Sequence, residues 1–176
     1  MLIHEMFDNP YNLDPSTQTA LAIKQQILSM HHNIRSLRVF EVVGHPEEFI
    51  MTFYAEDGIY EVHHLKVVDD IIQTGKILSA VKNRNFAANP RYISTAINLY
   101  QNELKRGHAV RVVADKTSGM WPTYQRVINQ KINKDGYESD NIDTNYKGVD
   151  NGDYIAQVIR PRGKFKETFQ NFRLSI

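Results

Sequence analysis

The sequence predicts an α+β domain, with a mixed, mainly antiparallel central sheet flanked by about three helices. Three observations carry that expectation. Apolar residues recur at helical spacing in three separate stretches, near residues 15–31, 89–106 and 122–134. Between the first two lies a block of β-branched and aromatic residues broken by the turn clusters Gly44-His45-Pro46 and Asp57-Gly58. Between the second and third, residues 108–114 read as an apolar run suited to a buried strand.

Taken in order, the first helix is expected from about Pro15 to His31, with Asp14 as its N-cap and Pro15 at its first position. Ala20, Leu21, Ile27, Leu28 and His31 would form its apolar stripe. Leu37 to Val43 reads as a strand that ends at Gly44, and Phe49 to Ala55 as a second one. Asp57-Gly58 is a hairpin signal, and Ile59 to Val68 returns beside the preceding strand. Turns this short make antiparallel pairs. Lys76 to Val81 is a candidate for a further short strand.

In the second half, Asn89 would cap a helix opening at Pro90, with Ile93, Ala96, Ile97, Tyr100 and Leu104 facing inward. Lys105 and Arg106 suit its C-terminal dipole, and Gly107 ends it. After the apolar strand, a third helix runs from about Pro122 to Lys134 with Tyr124, Val127, Ile128 and Ile132 inward. Asp153 to Ile159 is the last clear strand, and Tyr137 to Lys147 is a candidate for one more.

The 176 residues fit one domain, with residues 1–13 as an N-terminal arm and 160–176 as a basic, aromatic tail. At 41% apolar and 23% charged, the composition is that of a folded chain. Cysteine is absent, which excludes disulfides, thiolate metal sites and a cysteine nucleophile, and suits a cytoplasmic location. The first seven residues lack the basic and apolar regions of a signal peptide, and no apolar run approaches the roughly 20 residues of a membrane span.

The net charge of +1 hides an asymmetry. Asp135, Glu138, Asp140, Asp143, Asp150 and Asp153 face Lys147 alone, whereas Arg160, Arg162, Lys164, Lys166 and Arg173 face only Glu167. Such a tail, interleaved with Phe165, Phe169 and Phe172, either steers toward phosphates or an acidic partner or is a solvated terminus. A net charge near zero and no aromatic-rich sheet motif argue against nucleic acid as the partner.

Strand periodicity puts Glu61 and His63 on one face and His64 on the other. A carboxylate beside an imidazole can serve as a general base, or the two can be a polar, half-exposed strand face. Only two metal-ligating side chains share that face, so no metal site is expected. His31 and His32 close the first helix, where imidazolium complements the dipole. Arg84 and Arg91 flank the loop before the second long helix and can grip a phosphate or remain solvated. Trp121 and Tyr124 begin the third helix, either lining a pocket near strand ends or packing in the core. The glycine-dependent signatures of serine hydrolases, P-loop proteins and dinucleotide-binding proteins are all missing.

This order of elements resembles the GNAT superfamily of N-acetyltransferases over about residues 34–160. Asn89-Pro90-Arg91 stands where that family's cofactor helix begins. Leu99 to Val113 has its helix, glycine and strand cadence, and Asp135-Gly136-Tyr137 is similar to its closing Gly-aromatic signature. The resemblance implies a sheet that splays apart to hold acetyl-CoA, with the pyrophosphate on backbone N–H groups at the helix start. It implies Arg84, Asn89 and Arg91 at the cofactor, and Glu61 or His63 as the base that deprotonates an amine. Tyr124 is the nearby hydroxyl nominated as acid.

Two departures qualify what is implied. The family's phosphate loop carries glycines, whereas Arg84-Asn85-Phe86-Ala87-Ala88-Asn89-Pro90 has none, and Pro90 removes a donor. The family's acid tyrosine would fall at Ile132. The implied function is a divergent acyltransferase-type domain for acyl-CoA or a related phosphorylated ligand, active or not. The alternative is a non-catalytic binding or assembly protein with a protein partner, similar to acetyltransferase-like accessory and virion proteins of bacteriophages.

Overall fold

A computed structural model describes residues 10–66, 90–116, 119–132, 135–149 and 151–163. The Asp57-Gly58 turn sets the register of the first half. Gly58 takes φ +82, which glycine adopts without a Cβ clash, and its N–H donates to the Ala55 carbonyl. Asp57 Oδ1 accepts from the Ile59 N–H and fixes the return. This hairpin joins β3 (His45–Tyr54) to β4 (Tyr60–Lys66), paired from Tyr54↔Tyr60 to Glu48↔Lys66. β2 (Arg35–Val42) pairs the other edge of β3, and β1 (Leu13–Asp14) pairs β2.

The second half supplies β5 (Val110–Asp115), β6 (Tyr137–Ser139), β7 (Asp143–Lys147) and β8 (Asp153–Pro161). The sheet runs β1-β2-β3-β4-β5-β8-β6, and β7 also pairs β8. Every described neighbour pair is antiparallel except β4 and β5. The two parallel strands share only two rungs, Tyr60↔Val110 and Glu61↔Arg111. From Val62 onward β4 keeps only β3, while β5 stays paired with β8 along its whole length.

Three described helices cover the sheet. On one face α1 (Gln18–Met30) packs Ala20, Ile23 and Ile27 against Phe49, Met51, Phe53 and Leu65. On the other, α2 (Pro90–Lys105) and α3 (Trp121–Lys131) bury Ile97, Tyr100, Tyr124 and Val127 against Ile50, Val62, Val112 and Ile159. The inward residues expected of the second and third helices are all buried, Ile132 included.

Several expectations need correction. The first helix begins at Gln18, not Pro15, and its N-cap is Thr17, whose Oγ1 accepts from the Ala20 N–H. Asp14 belongs to β1, and its carboxylate takes the backbone and hydroxyl of Ser16 in a local turn, so it is unavailable as a cap. The helix buries Ala20, Ile23 and Ile27, leaving Leu21 at 49% and Leu28 at 43% exposure. Ala20 and Ile27 of the expected stripe are buried, and Ile23, not Leu21 or Leu28, completes the face against β3. The turn at Gly44 is shorter than expected, so β3 already includes His45 and Pro46. The third helix ends at Lys131, before Lys134. The stretch from Tyr137 to Lys147 forms two strands against β8 with a register shift between Asp143 and Tyr146. Lys76 to Val81, Val67 and Val68, most of the N-terminal arm and the tail beyond Gly163 lie outside the described residues.

Candidate functional site

Strand alternation delivers Glu61 and His63 to the α1 face, where the expected pair forms. His63 Nε2 lies 2.8 Å from Glu61 Oε1. The other carboxylate oxygen, Oε2, accepts from Arg111 at 2.8 Å and from the Tyr146 hydroxyl at 2.6 Å. Arg111 arrives opposite Glu61 because of the second β4–β5 rung, and its second terminal nitrogen donates to Asp57 in the hairpin turn. Its guanidinium also stacks 4.6 Å from the Tyr146 ring centroid. Glu61 is 0% exposed and His63 5%, so the strand face is enclosed rather than solvated.

Electrostatics follow from that enclosure. Burial alone raises the Glu61 carboxyl, but the hydrogen bond and charge of His63, the Arg111 cation and the Tyr146 hydroxyl together hold it below its ordinary value. Burial, and then the Glu61 charge, push the Tyr146 phenol up, so it stays a donor. The His63 ring is stacked on Phe53, with centroids 5.3 Å apart, and meets Tyr154 of β8 edge-on at 5.6 Å. A buried carboxylate, imidazole and guanidinium and a half-buried phenol therefore form one cluster where β4 and β5 part.

Arg111 and Tyr146 have a second aspect. With Asp57, Lys147 and the helix-closing His31 and His32, they line an open groove of about 1010 Å³ on the α1 face. His31 also caps α1, its N–H donating to the Ile27 carbonyl.

The opposite sheet face carries different chemistry. Tyr124 is 1% exposed in the core with Tyr92 and Tyr100, and burial raises its phenol well above the ordinary value. The structure does not bring it to Glu61 and His63, because α3 packs on the other side of the sheet. Trp121 packs in the same core. The Tyr100 hydroxyl accepts from the Val62 N–H at 3.2 Å and donates to the Val62 carbonyl at 3.4 Å, on the first β4 residue past the parallel rungs. His64 stacks on Tyr92 with centroids 4.0 Å apart and bonds Glu48 at 2.7 Å.

Of the residues implied at a cofactor, Arg91 lies in the first turn of α2 with its guanidinium 4.7 Å from the Tyr11 ring centroid. The Tyr11 N–H in turn donates to Thr95 Oγ1 at 2.8 Å, tying the N-terminal segment to that helix start. Arg84 and Asn89 lie outside the described residues.

Sequence reasoning missed Arg111, Tyr146 and Asp57 as members of the cluster. One signal was present: Arg111 interrupts the apolar run Val110–Ala114, and a charge on a buried strand requires a buried partner. It also missed Glu103, which accepts from the Tyr54 hydroxyl at 2.5 Å, meets His108 Nδ1 at 2.6 Å and pairs with Arg106 at 3.0 Å. That cluster fastens the end of α2 to β3.

Among the described residues no group of three or more potential ligands is placed to hold a metal ion, and no helix is long and apolar enough to cross a membrane. No family model, curated protein or solved structure gives a significant match to this chain.

Proposed function

We propose that the chain is a divergent N-acyltransferase-type domain that takes an acyl-CoA, or a related phosphorylated ligand, between β4 and β5. The observation that carries this reading is the β4–β5 pair. It is parallel and two rungs long among antiparallel described neighbours, and it ends at Glu61. Ligands of open sheets collect at the carboxyl ends of parallel strands, and here the chain leaving β4 leads to α2, whose N-terminal dipole favours anions. The ligand class named here is the one implied by the resemblance of the element order to the GNAT superfamily.

The fit to such a ligand rests on β4 itself. Beyond Glu61 its β5-side edge makes no described strand pair, and at Val62 a phenol hydroxyl already substitutes for a strand. An amide-bearing arm can bond that edge in the same manner, with Arg91 in the first turn of α2 as the described cation for the phosphates. Arg84 and Asn89, implied at the cofactor by the resemblance, lie outside the described residues. Glu61 and His63 lie beside the divergence as the groups for an acceptor amine. Tyr124, enclosed across the sheet, is a poor acid in this arrangement.

A second reading, a non-catalytic binding or assembly domain, draws on Tyr92, Tyr100 and Tyr124, all buried against the same strands. Calorimetry separates the two. Micromolar binding of acetyl-CoA or CoA, weakened by Arg91→Ala, supports the first reading. No heat with either ligand rejects it in favour of the second.

A further inference from the structure

We propose that the outer face of α1 is a self-association surface, where a second copy of this chain docks antiparallel about a twofold axis beside Gln25. The inference is independent of the acyltransferase reading, because it uses no residue of the β4–β5 site.

The face is defined by what α1 leaves to solvent. Ala20, Ile23 and Ile27 point inward, so Gln18, Leu21, Ala22, Gln25, Leu28 and Ser29 are exposed. Among the described residues four large apolar side chains are exposed, and two of them, Leu21 and Leu28, lie on this face two turns apart. A helix on a protein surface ordinarily carries charge on the side away from the core. Here Lys24 is the only charged residue of Gln18–Met30, and it stands half-buried at the flank. Two leucines on one stripe with no charge between them form an apolar patch rather than scattered surface residues.

That composition selects the occupant. A charged partner finds no counter-charge on the stripe, whereas an uncharged copy strands no charge of its own. Gln18, Leu21, Gln25, Leu28 and then His32, just past the helix end, recur at a spacing of three and four residues. The series reads nearly the same from either end. A surface that meets itself across a twofold axis needs that property, because every contact occurs twice. Antiparallel docking sets Leu21 of each copy against Leu28 of the other. It also puts the two Gln25 amides side by side, where each can donate to and accept from its counterpart. Ala22 and Ser29 beside the stripe are small enough for the backbones to approach, and the Ser29 hydroxyl already donates to the Gln26 carbonyl.

Size and charge set the strength. The 13 residues of α1 make a helix about 20 Å long. One face of it falls short of the roughly 800 Å² per partner of a standard interface, so a weak, concentration-dependent dimer is expected. Lys24 precedes Gln25 beside the axis, where the two ammonium groups repel. Lys24→Gln and added salt are therefore each expected to tighten the dimer.

Sedimentation velocity of the full chain from submicromolar to submillimolar concentration tests this. The wild type is expected to move from monomer toward dimer, and the double variant Leu21→Glu/Leu28→Glu to stay monomeric throughout. The two should share one urea midpoint at submicromolar concentration, because neither leucine packs on the sheet, so loss of the dimer is not loss of the fold. Orientation is read by cross-linking. The chain lacks cysteine, so Gln25→Cys introduces a single thiol, and mild oxidation should give a covalent dimer faster than in Glu56→Cys on the exposed hairpin turn. A wild type that remains monomeric at submillimolar concentration, or a dimer that survives the double variant, would overturn the proposal. Occupation of the stripe by the chain's own aromatic tail, with Phe165, Phe169 and Phe172, would give the first of these results.

Discussion

Glu61 and Arg111 meet on the last rung of the β4–β5 ladder, 2.8 Å apart, with both side chains buried. The rung thus ends strand pairing and closes an ion pair at the same position. Removing the cation leaves an enclosed carboxylate that must be neutralised or desolvated without compensation. Arg111→Met is expected to cost about 3–5 kcal/mol in urea denaturation. The double variant Glu61→Leu/Arg111→Met should cost clearly less than the sum of the two single changes, because it removes the stranded charge. Additive losses would mean that the two groups are not coupled.

Acid stability should fall in two stages. Burial keeps the His64 imidazole neutral and lowers it from 6.5, although its bond to Glu48 opposes this. A group depressed in the folded state contributes fully above its unfolded value, so the His64 contribution is lost as pH falls below 6.5 toward its lower folded value. Burial raises the Glu48 and Glu61 carboxyls, but the hydrogen bonds of His64 and Tyr11 to Glu48, and those of His63 and Tyr146 together with the Arg111 cation at Glu61, outweigh it and hold both below 4.5. Their contribution is complete above 4.5 and is lost as pH falls below it. Urea midpoints followed from neutral pH downward should show both stages, and His64→Gln should flatten the upper one.

The corrected face of α1 makes a simple comparison. Ile27 is 1% exposed among Phe49, Met51 and Phe53, and Ile27→Ala should cost about 2–5 kcal/mol. Leu28 is next in sequence and points outward, so Leu28→Ala should stay within about 0.5 kcal/mol. Equal losses would return Leu28 to the core.

Tyr100→Phe keeps the ring and deletes the hydroxyl that serves the Val62 backbone. A buried N–H left without its acceptor costs about 1–3 kcal/mol. Val62 amide exchange should quicken in this variant, whereas unchanged exchange would show that the hydroxyl does not protect that edge.

Much of the fold was legible because local chemistry and tertiary contact agreed. Asp57-Gly58 is a tight turn whatever surrounds it, and the α2 stripe of Ile93, Ala96, Ile97, Tyr100 and Leu104 admits one inward face. The α1 face was not legible in the same way. Ala20 and Ile27 were legible as inward, but Leu21 and Leu28 satisfy helical spacing beside them as well as Ile23 does, and only the shape of β3 decides which of these joins the face. At the site, period-two alternation was enough to pair Glu61 with His63. The partners Arg111 and Tyr146 come from 50 and 85 residues away, joined by a parallel rung and by the β7–β8 hairpin. No local spacing encodes such meetings, although the lone charge in Val110–Ala114 showed that one was needed.

The central claim is that β4 and β5 part to receive an acyl-CoA. Isothermal titration calorimetry of the full chain with acetyl-CoA and with CoA, on wild type and Arg91→Ala, tests it most directly. The account predicts micromolar binding to the wild type that Arg91→Ala weakens at least tenfold, about 1.4 kcal/mol. The absence of heat with either ligand at high protein concentration would contradict it.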